Sequence, residues 1–183
     1  MRVLVACEFS QIVTEAFLKK GCEAYSCDLE ECIGFYPERH IMADAREVIL
    51  YESWDLIIAH PPCTYLSNAG ARYLKELGRK EKREIAREFF MFFYNLPGKV
   101  CIENPVPLGC ADLPKQSFAV QPFEFGDPWS KRTYLWLKNL PPFLPTNIIR
   151  PEFSLCKRYH DAKRRSIFSP GIAEAMADAW YDL

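Results

Sequence analysis

The sequence predicts an α/β fold with a mostly parallel sheet and helices on both of its faces, formed as a single domain by residues 1–183. The chain begins with a strand, a tight turn, a helix, a second strand and an acidic residue, which is how nucleotide-binding α/β units begin. Later apolar runs end at prolines or acidic residues, as is typical of buried parallel strands. A length of 183 residues, with 49% hydrophobic and 26% charged residues, suits one globular domain.

The first predicted unit is a strand, a helix and a second strand. The strand from Arg2 to Ala6 is almost wholly apolar, and Ser10 is the predicted N-cap of a helix that Gly21 ends. The strand from Glu23 to Cys27 leads to Asp28. A carboxylate at this position accepts hydrogen bonds from ribose hydroxyls in nucleotide-binding units. A solvated loop carboxylate is the alternative for Asp28.

A short third strand, from His40 to Ala43, is followed by another acidic residue, Asp44. Two roles are open for this side chain. The carboxylate of Asp44 is suited either to accept a hydrogen bond from an adenine amino group or to cap a helix that starts near Ala45.

The strand from Leu56 to His60 delivers the main candidate for chemistry. Pro61 and Pro62 end its ladder of hydrogen bonds and turn the chain off the sheet. Cys63 is therefore expected just beyond the carboxyl end of the strand, where open α/β sheets bind their ligands. A thiol held on a stiff turn suits a nucleophile. A buried core cysteine is the alternative.

Two later segments carry further candidates. The strand from Lys99 to Ile102 ends at Glu103, whose carboxyl group is suited to protonate or hydrogen-bond a heterocycle. The basic pair Lys131 and Arg132 precedes a strand that reaches Leu137. Before them, residues 79–95 are predicted to form a helix with a charged, solvated first half and phenylalanines that pack on the sheet.

The last third of the chain contains a basic segment and a closing helix. Residues 150–166 hold six basic and two acidic side chains. Arg164 and Arg165 in this segment suit contacts with phosphates, although a soluble loop is an equal alternative. The closing helix runs from Ile172 to Trp180 and has one apolar face.

Composition limits the partners and the compartment. The formal net charge of −1 provides no overall attraction to nucleic acid, so such contacts must come from local patches. No apolar run approaches the length of a membrane span, and we expect a cytoplasmic protein without a membrane partner. Because the chain is long and shows no secretory signal, we expect its eight cysteines to stay reduced, and because they contain no CxxC pair we expect no metal site.

Four segments, in this order, resemble motifs of the DNA cytosine-5 methyltransferase family, and more closely its short phage and prophage forms. They are Ala59 to Ser67, Glu103-Asn104-Pro105, Phe125 to Thr133 and Pro170 to Ala177. The resemblance implies a Rossmann-like fold that binds S-adenosylmethionine. It also implies methyl transfer to C5 of cytosine in DNA.

The resemblance assigns roles to individual residues. It implies that Cys63 adds to C6 of cytosine, that Glu103 acts at N3, and that Arg132 or Lys131 holds O2 or a phosphate. For a duplex substrate, the base must be flipped out. Cofactor contacts are implied for Cys7, Glu8, Phe9, Ser10, Asp28, Leu29, Asp44, Ala45, His60 and Pro61. Substrate contacts are implied for Pro62, Thr64, Tyr65, Ser67, Asn104, Pro105, Arg164 and Arg165.

The chain departs from the family pattern in three places. The loop from Cys7 to Gln11 has no glycine, and Trp129, Lys131 and Thr133 occupy positions where the family has Gln, Arg and Arg. The third departure is the length of the segment 138–167, which has too few residues for the family's independent target-recognition domain. We therefore expect weak sequence selectivity, a protein partner that supplies it, or a single-stranded or free nucleotide substrate.

Two other functions compete with this prediction. An amino-methyltransferase needs an Asp or Asn followed by two prolines and an aromatic residue, whereas His60-Pro61-Pro62-Cys63 has neither end of that motif. A non-catalytic phage protein that binds nucleotide or DNA through a degenerate methyltransferase fold agrees with the three departures. It leaves Cys63 and Glu103 without a purpose.

Overall fold

The computed structural model describes residues 1–159 and 161–183 and consists of a central sheet with helices on both faces. The strands of this sheet are β1 (Arg2–Ala6), β2 (Glu23–Asp28), β3 (His40–Met42), β4 (Leu56–Ala59), β5 (Lys99–Pro105), β6 (Phe118–Val120) and β8 (Thr133–Lys138). Two short strands, β7 (Trp129–Ser130) and β9 (Phe153–Ser154), pair separately. The helices are α1 (Ile12–Lys19), α2 (Ala45–Tyr51), α3 (Arg79–Asn95), α4 (Leu155–Arg158), α5 (Ala162–Ser166) and α6 (Pro170–Trp180).

The order of strands in the main sheet is β3-β2-β1-β4-β5-β8-β6. The first five strands pair in parallel, whereas β8 pairs antiparallel with both β5 and β6. The chain moves to one side of β1 for β2 and β3, and then to the other side for β4 and β5. The carboxyl ends of β1 and β4 therefore border the crevice in which open α/β sheets bind ligands.

Two hydrophobic cores lie on opposite faces of the sheet. On one face, α1 and α6 pack on Val3, Val5 and Ile58. On the other face, α2 and α3 pack on Leu4 and Ile57, and the phenylalanines of α3 supply much of this second core. Because both faces are covered, the central strands are apolar at nearly every position instead of alternating.

The predicted α/β fold with a mostly parallel sheet is confirmed, but the prediction that Ser10 caps α1 is wrong. The N-cap is Gln11, whose side chain makes no capping bond. The Glu8 carboxylate accepts hydrogen bonds from the backbone N–H groups of Val13 at 2.7 Å and Thr14 at 3.2 Å. Glu8 therefore satisfies the first turn of α1, and it is almost fully buried there.

Asp44 takes the capping role that the sequence left open. Its carboxylate accepts a hydrogen bond from the backbone N–H of Arg46 at 2.9 Å, at the start of α2. Within the described ranges, no helix is long and apolar enough to cross a membrane. The same part of the chain contains no group of three or more His, Cys, Asp or Glu side chains able to hold a metal ion.

Candidate functional site

The candidate site lies at the edge of the sheet where β1, β4 and β5 end. His60 to Cys63 leave the carboxyl end of β4, and Glu103 lies near the end of β5. Because β8 is antiparallel, it starts at this same edge, with Thr133 opposite Pro105. The sheet thus brings together segments that are separated by about seventy residues of sequence.

Cys63 is partly exposed, and three polar side chains lie close enough to affect its thiol. Burial and the negative charge of Glu103 raise the pKa of Cys63. The positive charge of Lys131 and a hydrogen bond with Ser67 lower it, and the net pKa stays above its ordinary value. Cys63, Ser67, Glu103 and Lys131 therefore form one electrostatic cluster.

Glu103 is buried, and one of its carboxylate oxygens is paired with a histidine. His60 Nδ1 lies 3.1 Å from Glu103 Oε2. Burial alone raises the pKa of Glu103, but the hydrogen bond from His60 and the charge of Lys131 outweigh it and hold the pKa below its ordinary value. Glu103 Oε1 and His60 Nε2 are buried and have no hydrogen-bond partner among the described residues.

The loop that carries Cys63 is held by side chains from two other elements. Asn104 Nδ2 donates to the carbonyl of Pro61 at 2.9 Å. Arg79, at the start of α3, donates to the carbonyl of Thr64 at 2.9 Å. The guanidinium of Arg79 also lies 4.9 Å from the ring centre of Tyr65. Because Arg79 is buried, the prediction of a solvated charged half for this helix is wrong at this position.

The two basic residues before β8 have different surroundings. Lys131 faces the site, where its ammonium donates to the carbonyl of Arg165 at 2.9 Å and its charge acts on Cys63 and Glu103. Arg132 is exposed, and its guanidinium lies 5.6 Å from the ring centre of Tyr134. Of this pair, Lys131 is the residue that can contact a molecule bound at Cys63.

The glycine-free loop after β1 has the backbone shape that glycine usually supplies. Cys7 and Gln11 have φ values of 59° and 60°, in the left-handed region that L-residues rarely adopt. Burial raises the pKa of the Cys7 thiol, and the nearby carboxylates of Asp28 and Asp44 raise it further. Cys7, Asp28 and Asp44 therefore lie near one another at the ends of β1, β2 and β3.

The predicted cofactor residues differ in how free they are to bind. Asp28 is half-buried and accepts a hydrogen bond from the backbone N–H of Glu30 at 3.1 Å through Oδ1. Leu29 beside it is 74% exposed. Glu8 is committed to α1, and both oxygens of Asp44 accept hydrogen bonds from the side chain of Arg46. The remaining residues of this set follow β1, β3 and β4 in the chain, and Ala45 and Pro61 among them are buried: Phe9, Ser10, Ala45, His60 and Pro61.

A cavity of about 650 Å³ adjoins the cysteine loop on the face covered by α2 and α3. Pro62 and Tyr65 line it from the loop, and Arg46 lines it from α2. Its other walls come from α3: Lys82, Ile85, Ala86, Glu88, Phe89 and Phe92. A mostly apolar cavity of this size, with a few polar groups at its rim, is typical of a small-molecule site.

The basic segment before α6 packs over the edge of the site. Lys163 pairs with Glu30 and lies 4.9 Å from the ring centre of Phe9, beside the loop after β1. The carbonyl of Arg165 accepts from Lys131, so α5 contacts both the β1 side and the β8 side. Arg164 is exposed beside Tyr159.

The structure brings some predicted residues together and separates others. Cys63, Ser67, Glu103 and Lys131 form a cluster, whereas the side chain of Arg132 lies outside it. Sequence reasoning missed the pairing of His60 with Glu103 and the buried brace of Arg79, because neither has a motif. A histidine directly after the β4 strand was the available signal for the first.

No family model matches this chain, and no curated protein shows a significant match to it.

Proposed function

We propose that the protein transfers a methyl group from S-adenosylmethionine to C5 of cytosine in DNA, through a covalent adduct between Cys63 and C6 of the base. The observation that carries the proposal is the cluster of Cys63, Glu103 and Lys131 at one sheet edge. These are the three kinds of group that the reaction needs: a nucleophile, a carboxyl group that stabilises the protonated ring nitrogen, and a cation.

The crevice between β1 and β4 supports a Rossmann-like methyltransferase fold with an adenosyl cofactor at this edge. In this proposal, Asp28 at the end of β2 accepts hydrogen bonds from the ribose, and the left-handed backbone at Cys7 and Gln11 gives the loop after β1 the turn that glycine usually supplies. The cavity beside Pro62 and Arg46 is large and apolar enough for an adenine ring. Because Glu8 and Asp44 are committed to helix starts, we assign the cofactor contacts to Asp28, Leu29, Phe9 and the cavity.

The residues of the cluster perform successive steps. The thiolate of Cys63 adds to C6 and displaces an electron pair toward N3, and the Glu103 carboxyl group stabilises protonation of that nitrogen. Lys131 offsets the negative charge that develops on O2 of the base. S-adenosylmethionine, when bound, supplies the electrophilic methyl group for C5. Removal of the C5 proton then restores the double bond between C5 and C6 and expels Cys63, because a thiolate is a good leaving group.

The short segment between β8 and α6 supports a substrate that needs little sequence reading. Its described residues form β9, α4 and α5, which pack on the catalytic edge through Lys163 and Arg165. This segment does not extend to form a separate recognition domain within the described ranges. Single-stranded DNA, or duplex DNA presented by a partner protein, therefore fits this site better than selective recognition of a long duplex sequence.

The direct test is transfer of labelled methyl from S-adenosylmethionine to duplex DNA, single-stranded DNA, RNA and free cytosine nucleotides. The matched variants are Cys63→Ser and Cys110→Ser, because Cys110 is an exposed free thiol outside the cluster. We expect label on C5 of cytosine with the wild type and with Cys110→Ser, and none with Cys63→Ser. If cofactor binds but no substrate is labelled, the non-catalytic nucleotide- or DNA-binding function replaces this proposal.

A further inference from the structure

The side chain of Gln11 joins the loop after β1 to the loop that follows β2. Its Nε2 donates to the carbonyl of Tyr36 at 2.8 Å, and its Oε1 accepts from the backbone N–H of Tyr36 at 3.0 Å. The same Nε2 donates to the hydroxyl of Ser26 in β2 at 3.1 Å. Gln11 is only 1% exposed, so these hydrogen bonds are shielded from water and hold the two loops together.

The two loops also meet through a backbone hydrogen bond and a close packing contact. The backbone N–H of Ile33 donates to the carbonyl of Phe9 at 2.9 Å. A methyl group on Gly34 would lie 2.5 Å from Gln11 Cβ and would clash with Gln11 Oε1. Because the φ of Gly34 is not in the left-handed region, the close approach of Gln11 is the reason for glycine at this position.

Gln11 makes these contacts from a backbone conformation that is unfavourable for its residue type. Its φ of 60° and ψ of 16° lie in the left-handed region. Its side chain bonds to Tyr36, while the Glu8 carboxylate pairs with the first turn of α1. The strain at Gln11 therefore persists because the hydrogen bonds to the second loop compensate for it.

The loop held in this way, residues 29–36, exposes apolar side chains directly after Asp28. Leu29 and Ile33 are both mostly exposed, although the backbone of this loop is tied to buried groups. Exposed apolar side chains on a fixed backbone are suited to a ligand, because binding then requires little ordering of the loop. Phe9, on the other loop, is held beside Ile33 by the backbone hydrogen bond.

We propose that Gln11 is a positioning residue for the cofactor. By holding residues 29–36 against the loop after β1, it keeps Phe9 and Leu29 in place for the adenosyl group of S-adenosylmethionine. This inference rests on the proposed function. Gln11 acts through the two loops and takes no part in the chemistry, so its removal weakens cofactor binding and leaves the methyl-transfer step unchanged.

The test compares binding of S-adenosylhomocysteine to the wild type and to Gln11→Gly by calorimetry. Glycine removes the side chain but adopts a left-handed φ without strain, so the backbone of the loop is not penalised. We expect Kd to rise on the order of 10-fold, because the ligand must then order residues 29–36 itself. In the methylation assay, KM for S-adenosylmethionine should rise, whereas kcat and KM for the oligonucleotide should not change. Gln116→Ala, before β6, is the control and should bind as the wild type does.

A second variant separates this role from a general loss of stability. In Gly34→Ala, the added methyl group meets the side chain of Gln11 and forces the two loops apart, so S-adenosylhomocysteine should again bind weakly. The double variant lacks the Gln11 atoms that this methyl group meets. We therefore expect it to bind no more weakly than Gln11→Gly alone. Losses of affinity that multiply in the double variant would overturn the role of Gln11.

The outcomes distinguish this inference from the proposed function. If the wild type methylates DNA and Gln11→Gly binds S-adenosylhomocysteine as tightly as the wild type does, the role of Gln11 is refuted and methyl transfer stands. If binding depends on Gln11 but the wild type transfers no methyl group, the proposed function is refuted and the role of Gln11 in cofactor binding stands. A wild type that does not bind S-adenosylhomocysteine would refute both.

Discussion

The side-chain amide of Asn104 donates a hydrogen bond to the carbonyl of Pro61 at 2.9 Å, with Asn104 almost fully buried. This contact joins β5 to the loop that carries Cys63, two residues beyond Pro61. Because proline cannot donate to the sheet, the loop has left the ladder and depends on side chains for its position.

We expect Asn104→Ala to lower the free energy of unfolding by about 1–3 kcal/mol, because it leaves the carbonyl of Pro61 buried and unpaired. The rate of methyl transfer should fall as well, since Cys63 loses a support. Urea unfolding and the labelled-methyl assay measure the two effects. Asn95→Ala, at the exposed end of α3, is the control and should change neither. Equal free energies of unfolding for Asn104→Ala and Asn95→Ala would show that the hydrogen bond from Asn104 to Pro61 does not stabilise the protein.

Glu8 offers a test of a structural role against a binding role. Its carboxylate accepts from two backbone N–H groups of α1 and from the hydroxyl of Thr14 at 2.7 Å. We expect Glu8→Ala to cost about 1–2 kcal/mol of unfolding free energy, as loss of a helix cap does. Glu15→Ala, which removes an exposed pair with Lys19, should cost no more than about 0.5 kcal/mol. Normal stability of Glu8→Ala combined with lost cofactor affinity would contradict the capping role.

Lys131 should control the reactivity of Cys63. Only the thiolate reacts with an alkylating agent, and the pKa of Cys63 is already raised by burial and by Glu103. Removing the positive charge in Lys131→Met raises that pKa further, so less thiolate is present at pH 8 and alkylation should slow. Arg132→Met removes a charge from the same segment but away from the thiol, and should leave the rate unchanged. Peptide mapping by mass spectrometry after timed iodoacetamide treatment follows Cys63 separately from the exposed Cys110 and Cys156.

The sign of this pH dependence is fixed by the direction of the shift. A raised thiol pKa means that alkylation of Cys63 increases with pH over a range above the one in which an ordinary cysteine becomes reactive. The Lys131→Met curve should lie to the alkaline side of the wild-type curve. A displacement to the acidic side would show that Lys131 does not act on the thiol.

Arg79 is expected to order the segment after Cys63. Its guanidinium donates to the carbonyls of Thr64 and Gly70 at 2.9 Å and 3.4 Å and lies 5.3 Å from the ring centre of Tyr73. Arg79→Met keeps the length of the side chain but removes these donors, so residues 64–78 should become more sensitive to limited proteolysis. Lys80→Met, at an exposed position, is the control. Identical cleavage rates would rule out the bracing role.

The fold was largely predictable because its signals are local. Apolar runs at Arg2 to Ala6 and Leu56 to Ala59, each followed by turn residues, are sufficient to identify buried parallel strands. The position of the site at the sheet edge was also predictable from a local signal, because Pro61 and Pro62 mark where β4 must end. The helix capped by Asp44 was predictable for the same reason.

The details of the site depend on contacts between distant segments, which the local pattern does not contain. Ser10 was the better cap by residue type, yet Glu8 reaches the first turn because the loop bends through left-handed residues that are not glycine. Arg79 lies in a charged run that looks solvated, and its burial depends on where Thr64 and Tyr65 fold. The pairing of His60 with Glu103 requires β4 and β5 to be neighbours in register.

The covalent bond between Cys63 and the base is the central claim, and it can be measured directly. An oligonucleotide with 5-fluorocytosine traps the adduct, because after methyl transfer the fluorine at C5 cannot leave as a proton does and Cys63 cannot be expelled. With S-adenosylmethionine present, intact-mass spectrometry should detect the wild-type protein with one oligonucleotide and one methyl group attached, mapped to Cys63. Cys63→Ser should show no adduct and Cys110→Ser a normal one. A wild-type protein that methylates the unfluorinated oligonucleotide but forms no adduct with the fluorinated one would contradict the mechanism.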